Sequence, residues 1–320
     1  MRKLLAFVFT VLVLAGCTSP EPLDGLHQIG FASQLSRAVV EGVSDLQNGG
    51  ILLFASYTLD NQTASLLDNE HLYYDSSISS WKYDHTRYWV PGIFYRFCAV
   101  YPYNIQNCTY NNNGEVTIQG YTGNTNSADL LYTATTRDLQ YSEDYSAVPL
   151  HFNHACAALD FRIVNASGNA ITAIRNIYLT GLYNQGNFHF DIFGTAEWQI
   201  TGNCITADNI YSDSSCTLPT NNTLPVNVNY KHPLFDTGVL LVVPQEIYKT
   251  DVKLCLEYST DTSYYNKTYI DREILLGNIG SSAPTEWVAG QKYTYTLTIT
   301  DDFITSDVVV VDWVDHYVDL

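Results

Sequence analysis

The chain has 320 residues and a net charge of −18, with 33 acidic side chains against 15 basic ones. That balance excludes a nucleic-acid partner, because phosphates would repel the surface. The 25 tyrosines make adjacent tyrosine pairs an ordinary property of strands, so such pairs alone mark no ligand site.

Arg2 and Lys3 open the chain ahead of an apolar run from Leu4 to Leu14 that is too short to span a bilayer. The run ends in Leu14-Ala15-Gly16-Cys17. Small residues before a cysteine resemble a bacterial lipobox, in which Cys17 takes a diacylglycerol and becomes the new N-terminus after cleavage. An ordinary signal peptide with a chance cysteine is the alternative. The expectation is a signal peptide over residues 1–16 and an exported chain tethered by lipid rather than spanning. About 300 residues then remain, enough for one large or two ordinary domains.

From there the pattern is β, apart from a weak helical period near Leu35 to Leu46. "ILLFASYTL", "IFYRFCAVYP", "VTIQG", "GVLLVVPQ" and "VKLCLEYS" read as strands. In "HACAALDFRIV", Ala155, Ala157, Leu159, Phe161 and Ile163 share one face, with Asp160 and Arg162 opposite. In "KYTYTLTIT", Tyr293, Tyr295, Leu297 and Ile299 alternate with threonines. Asn48-Gly49-Gly50, Asn111 to Gly114, Ser167-Gly168-Asn169 and Thr220-Asn221-Asn222 punctuate them as turns. Many short strands with polar turns predict β-sandwiches, with a boundary near residue 148 after "RDLQYSEDYSAVP".

Six cysteines follow Cys17. Cys98 with Cys108, and Cys204 with Cys216, flank turn-like stretches and are the candidate disulfides of an exported chain; free thiols acting as small apolar residues are the alternative. Catalytic signatures are missing: there is no G-x-S-x-G, H-E-x-x-H, phosphate loop, G-x-G-x-x-G or C-x-x-C. His154 and Cys156 would share a strand face, but His151 would point away, which favours a structural role over a metal site. Asp301-Asp302 and the tail aspartates lack calcium-loop spacing. Tyr101 and Tyr103, or Tyr264 and Tyr265, are the candidate sugar-stacking pairs, with strand packing as the default. No catalytic residue, metal or cofactor is expected, and the chain is not expected to be an enzyme.

Five phrases in order resemble the fimbrillin-like proteins of the Bacteroidales. "IGFASQLSRAV" is similar to their I-x-F…R-A segment and "YRFCAVYP" to their Y-x-F-x-A-x-Y-P strand. "VPLHFNHACAALDFRI" resembles their F-x-H-x-x-A-x-L-x-F strand, "LLVVPQ" their L-x-V-P-Q strand, and "EWVAGQKYTYTLTI" their W-x-x-G-x-x-Y-x-Y-x-L-x-I ending. The resemblance implies an all-β protein with two transthyretin-like β-sandwich domains in tandem and a role in type V pili. In such proteins a trypsin-like protease cuts after a basic residue near the N-terminus and removes the first strand. A strand of the next subunit then fills the groove by β-augmentation.

The sequence supplies matching parts. Arg37 is the single Lys or Arg between Lys3 and Lys82, and a cut there would remove Ile29-Gly30-Phe31 together with lipidated Cys17. A plain surface arginine is the alternative. The ending "DVVVVDWVDHYVDL" offers a donor strand through Val308, Val309, Val310, Val311 and Trp313. Val309, Val311 and Trp313 would lie on one side, with Val308, Val310 and Asp312 on the other. The competing reading is an ordinary last strand of the chain's own domain, and valines on both faces imply full burial either way. The expected layout is a signal peptide at 1–16, a lipidated propeptide at 17–37, sandwiches at 38–148 and 149–302, and a donor tail at 303–320.

The expected function is a pilus subunit, a shaft component before an anchor, supporting adhesion. Its partners are identical or related subunits head to tail, the outer membrane through lipid before maturation, and a host or bacterial surface ligand left open. Its expected location is the cell surface, first as an outer-membrane lipoprotein precursor and then in the fimbrium. The alternative is a monomeric surface lipoprotein that binds glycans or host ligands. A hydrolase would need paired carboxylates or an activated nucleophile in a cleft, and no motif supplies one.

Overall fold

The computed structural model describes residues 26–35, 43–123, 129–226, 239–263, 265–278 and 284–313. These residues are nearly all β, as the alternation predicts. A seven-stranded sheet runs in the spatial order Phe31–Leu35, Val148–His154, Leu131–Asp138, Phe94–Tyr101, Ile51–Leu59, Gln62–Asp75, Ser80–Lys82. A four-stranded sheet, Cys108–Asn111, Glu115–Thr122, Gln185–Asp191 and Ala196–Ile200, packs on one of its faces. Its other face packs on Leu46, Tyr83 and Trp89. Both faces are thus covered, which explains why Ile51 to Ser56 is buried at every position and reads as a continuous apolar run.

The second half forms a sandwich. One sheet orders Asn222–Val226, Ala157–Asn165, Gln291–Ile299 and Ile304–Asp312, with Leu240–Val242 also pairing with Ala157–Asn165. Opposite lies Cys204–Asp213, Ala173–Tyr183, Lys253–Ser259 and Ile270–Leu275. Between them sit the predicted inward faces: Leu159, Phe161 and Ile163, and Tyr293, Tyr295, Leu297 and Ile299.

Strand pairing crosses the boundary expected near residue 148. Residue 148 opens the strand Val148–His154, which pairs with Phe31–Leu35 and, at its far end, with Leu131 and Tyr132 in the N-terminal sheet. The hairpin Gln185–Ile200 also returns to the N-terminal half, pairing with Glu115–Thr122. Residues numbered in the predicted C-terminal sandwich therefore complete the N-terminal one. Leu240 and Val242 face the C-terminal core, while Val239, Leu241 and Val243 face an apolar cluster shared with the N-terminal sheets. The one described α-helix is Val43–Gly49, later and shorter than the weak helical period from Leu35 to Leu46.

Candidate functional site

The N-terminal strand Phe31–Leu35 lies at the margin of the seven-stranded sheet, parallel to Val148–Phe152. Its entry segment is held from two sides. Val148 N donates to Gly30 O at 2.8 Å, while Ile29 N donates to Arg87 O and Trp89 N to His27 O, each at 2.8 Å. The Tyr83 hydroxyl donates to Ile29 O. Ile29 is fully buried, and the Phe31 ring meets Tyr83 and Phe97 edge-on at 5.5 and 5.7 Å. Ile29 and Phe31 point inward because they are two apart on an extended chain. Lifting this segment out would leave a groove with backbone donors and acceptors on both walls and the Tyr83 and Phe97 rings at its floor. For Val148–Phe152 that loss is severe, since pairing with the next strand covers only Asn153 and His154.

At the other terminus, Ile304–Asp312 runs antiparallel to Gln291–Ile299 in unbroken register from Ile299↔Ile304 to Gln291↔Asp312. It is the edge strand of its sheet. The expectation of full burial fails here. Val309, Val310 and Val311 are 62, 40 and 49% exposed, and Val308 is half-buried against the C-terminal core. An edge strand has one neighbour, and Val309, Val310 and Val311 lie beyond the part of the strand, Ile304 and Val308, that packs against the C-terminal core, so they stay wet. A strand of this kind invites pairing with another chain. Trp313 is the exception: it is 2% exposed and sits in the cluster shared with the N-terminal sheets.

Trp313 lies flat on His154, with ring centroids 3.7 Å apart and planes 3° from parallel. His154 Nδ1 pairs with Asp129, and both side chains are fully buried. His151, by contrast, is exposed, so the two histidines diverge as the alternation predicts. Among the described residues no cluster of His, Cys, Asp and Glu could hold a metal. Asp129 and Trp313 were invisible as partners of His154 from sequence, because neither is near it in the chain and no local pattern joins them.

The candidate disulfides are not formed: Cys98, Cys108, Cys204 and Cys216 are all free thiols, as are Cys156 and Cys255. Burial explains most of them as packing residues. It pushes the Cys98 and Cys108 thiols up to about 12. Cys98 donates weakly to Gly114 O, and Cys156 to the Tyr121 hydroxyl. Among the described cysteines, Cys204 alone is exposed. In native protein at pH 8, a maleimide should therefore modify Cys204 first and Cys98 and Cys156 only on unfolding; peptide mapping of the labelled sites checks this, and early labelling of Cys98 would contradict the packing.

Of the tyrosine pairs, Tyr101 is buried in the N-terminal core, while Tyr103 stacks on His71 at 3.8 Å. Tyr265 is exposed, and Tyr264 lies outside the described residues. Asp301 accepts from Gly168 N at 3.0 Å, an ordinary loop contact. Cys17 and Arg37 also lie outside the described residues.

The fold and its two terminal strands define an all-β protein of paired sheets with marginal strands at both ends. The family model described as fimbrillin-like matches residues 36–313, and the chain belongs to that family. A search of curated proteins finds no match. Among solved structures, a fimbrial protein from Bacteroides vulgatus is similar at 19% identity and a TM-score of 0.64, covering 89% of this chain and 99% of that one. A candidate cell adhesion protein from Bacteroides uniformis is similar at 14% identity and a TM-score of 0.53, covering 92% and 100%. These likenesses establish a shared fold.

Proposed function

We propose that the protein is a structural subunit of a cell-surface pilus, exported as a lipoprotein through Cys17, cut after Arg37 and polymerised by donor-strand exchange. The observation that carries this reading is the seat of the N-terminal strand. Residues His27 to Phe31 occupy a slot with backbone hydrogen bonds on two sides and leave it just ahead of Arg37. One cut there removes the strand and the lipid anchor together. The incoming strand would satisfy the exposed backbone of Arg87, Trp89 and Val148 and fill the space of Ile29 and Phe31. The C-terminal strand supplies the donor, since it is an edge with three exposed valines and carries no Lys or Arg for a trypsin-like protease to cut. A head-to-tail contact of this kind gives an open polymer.

The docked Trp313 favours one other reading, a monomeric surface lipoprotein whose tail stays home. Trypsin treatment of chain lacking its signal peptide separates the two. A cut after Arg37 followed by ladders on size-exclusion chromatography, absent in chain truncated before Asp307, supports the pilus subunit. A cut chain that stays monomeric supports the alternative.

A further inference from the structure

The two terminal elements meet on one strand. Val148–His154 pairs with the N-terminal strand from Val148 to Phe152, and two residues later presents His154 as the seat of Trp313. We infer that Trp313 on His154 is an autoinhibitory latch for the C-terminal strand, and that removing the N-terminal strand loosens it. The meaning of the latch for assembly rests on the donor-strand reading; the coupling itself does not.

The latch follows from where burial sits. From Val309 to Asp312 the C-terminal strand is exposed, held by its ladder to Gln291–Tyr293 and Thr294. Trp313 follows directly on that stretch with a large buried side chain, and its backbone N–H donates to Gly290 O at 2.8 Å. Its ring packs in the cluster shared with the N-terminal sheets rather than in the C-terminal core. While it is docked, the strand is committed to its own body.

The loosening follows from the partners of Val148–His154. With the N-terminal strand in place, register pairs run from Phe31↔Val148 to Leu35↔Phe152. Without it, the pairing that remains is Tyr132↔Asn153 and Leu131↔His154. His154 then sits at the end of a strand lacking most of its ladder. Beneath the indole lies the fully buried Asp129–His154 pair. A buried pair gains hydration when its cover lifts, which offsets part of the cost of undocking Trp313. Opening the groove at one terminus therefore frees the strand at the other, through contiguous packing.

Hydrogen–deuterium exchange of the amides of Ile304–Asp312 reads this directly. The samples are the chain without its signal peptide, before and after trypsin treatment, with a chain expressed from Ala38 as a second route to the same state. Cleavage should speed exchange of these amides roughly tenfold while those of Phe94–Tyr101 hold. In Trp313→Ala the amides should be fast before cleavage and gain little from it. The paired substitution D129N/H154Q, which leaves the tail intact, should behave likewise, and Trp313→Phe should restore the slow state. Unchanged exchange after loss of the N-terminal strand overturns the coupling. Equal acceleration in Phe94–Tyr101 also overturns it, by showing general loosening. If exchange responds as expected but neither wild type nor D129N/H154Q forms ladders, the latch stands and the donor-strand reading falls. If exchange of Ile304–Asp312 in uncut D129N/H154Q is as slow as in uncut wild type, the seat under Trp313 does not restrain the strand and the autoinhibitory role is overturned.

Discussion

Once the chain is cut after Arg37, the segment carrying Ile29 and Phe31 is expected to leave the folded body without denaturant. Covalent attachment is what now keeps it there. Burying Ile29 and Phe31 contributes about 3–6 kcal/mol gross, at about 1.5–3 kcal/mol for each side chain. The hydrogen bonds to Arg87, Trp89, Tyr83 and Val148 add about 1 kcal/mol net apiece. As a separate peptide, the segment must also meet an association cost of about 4–15 kcal/mol. What is left is at best about 6 kcal/mol, a Kd of tens of micromolar, and at the higher association costs no net binding at all. At micromolar protein the segment dissociates, and the Tyr83 and Phe97 rings meet water. Native mass spectrometry of the cut protein should show the mass of the body alone, with increased binding of a hydrophobic dye. A segment that stays bound through gel filtration at micromolar concentration would show that the slot holds its strand by more than the visible contacts. The donor strand would then have to displace a tight occupant rather than fill an empty groove.

The parts of this structure that were legible in the sequence are those written in local alternation. Tyr293, Tyr295, Leu297 and Ile299 are buried and the threonines between them are not fully so, because period two is the geometry of a strand with one covered face. The run Ile51 to Ser56 was legible as a strand, and its covered faces explain the missing alternation. Pairing between distant segments leaves no such mark. Nothing in Gln185–Ile200 announces that the hairpin will join Glu115–Thr122, and "VPLHF" reads equally well as the start of a second domain or as the mate of Phe31–Leu35. The cysteines misled for a related reason. Cys98 and Cys108 flank a turn in sequence and pack in one apolar cluster as free thiols, since proximity alone does not set the geometry a disulfide needs. In the tail, four valines suggested burial on both faces, but exposure depends on neighbouring strands that the tail does not encode. The Asp129–His154–Trp313 stack joins three distant stretches and was legible only as a histidine needing a structural partner.

The "LLVVPQ" and "EWVAGQKYTYTL" phrases meet in space, and substitution there should have the largest effect on stability. Glu286–Trp287 pairs with Gln245–Glu246. Gln245 Nε2 donates to Tyr183 O and Val243 O, and its Oε1 accepts from Tyr183 N, so one amide ties Ala173–Tyr183 to this ribbon. Trp287 is buried, and its indole N–H donates to the Tyr295 hydroxyl at 2.9 Å. Burial raises the Tyr295 phenol well above its ordinary range, so it stays neutral and serves as the acceptor throughout the working pH range. Trp287→Ala removes the largest side chain of the C-terminal core and orphans that hydroxyl, and should cost about 3–5 kcal/mol, mainly as a cavity. Tyr295→Phe keeps the packing but leaves the indole N–H without its acceptor, at about 1–3 kcal/mol. Urea denaturation should show both as lower midpoints at nearly constant slope. Trp287→Phe combined with Tyr295→Phe removes donor and acceptor together, so its loss should fall short of the sum of the two single Phe substitutions. Strict additivity would mean the hydrogen bond contributes nothing and the ring volumes alone specify this corner of the sandwich.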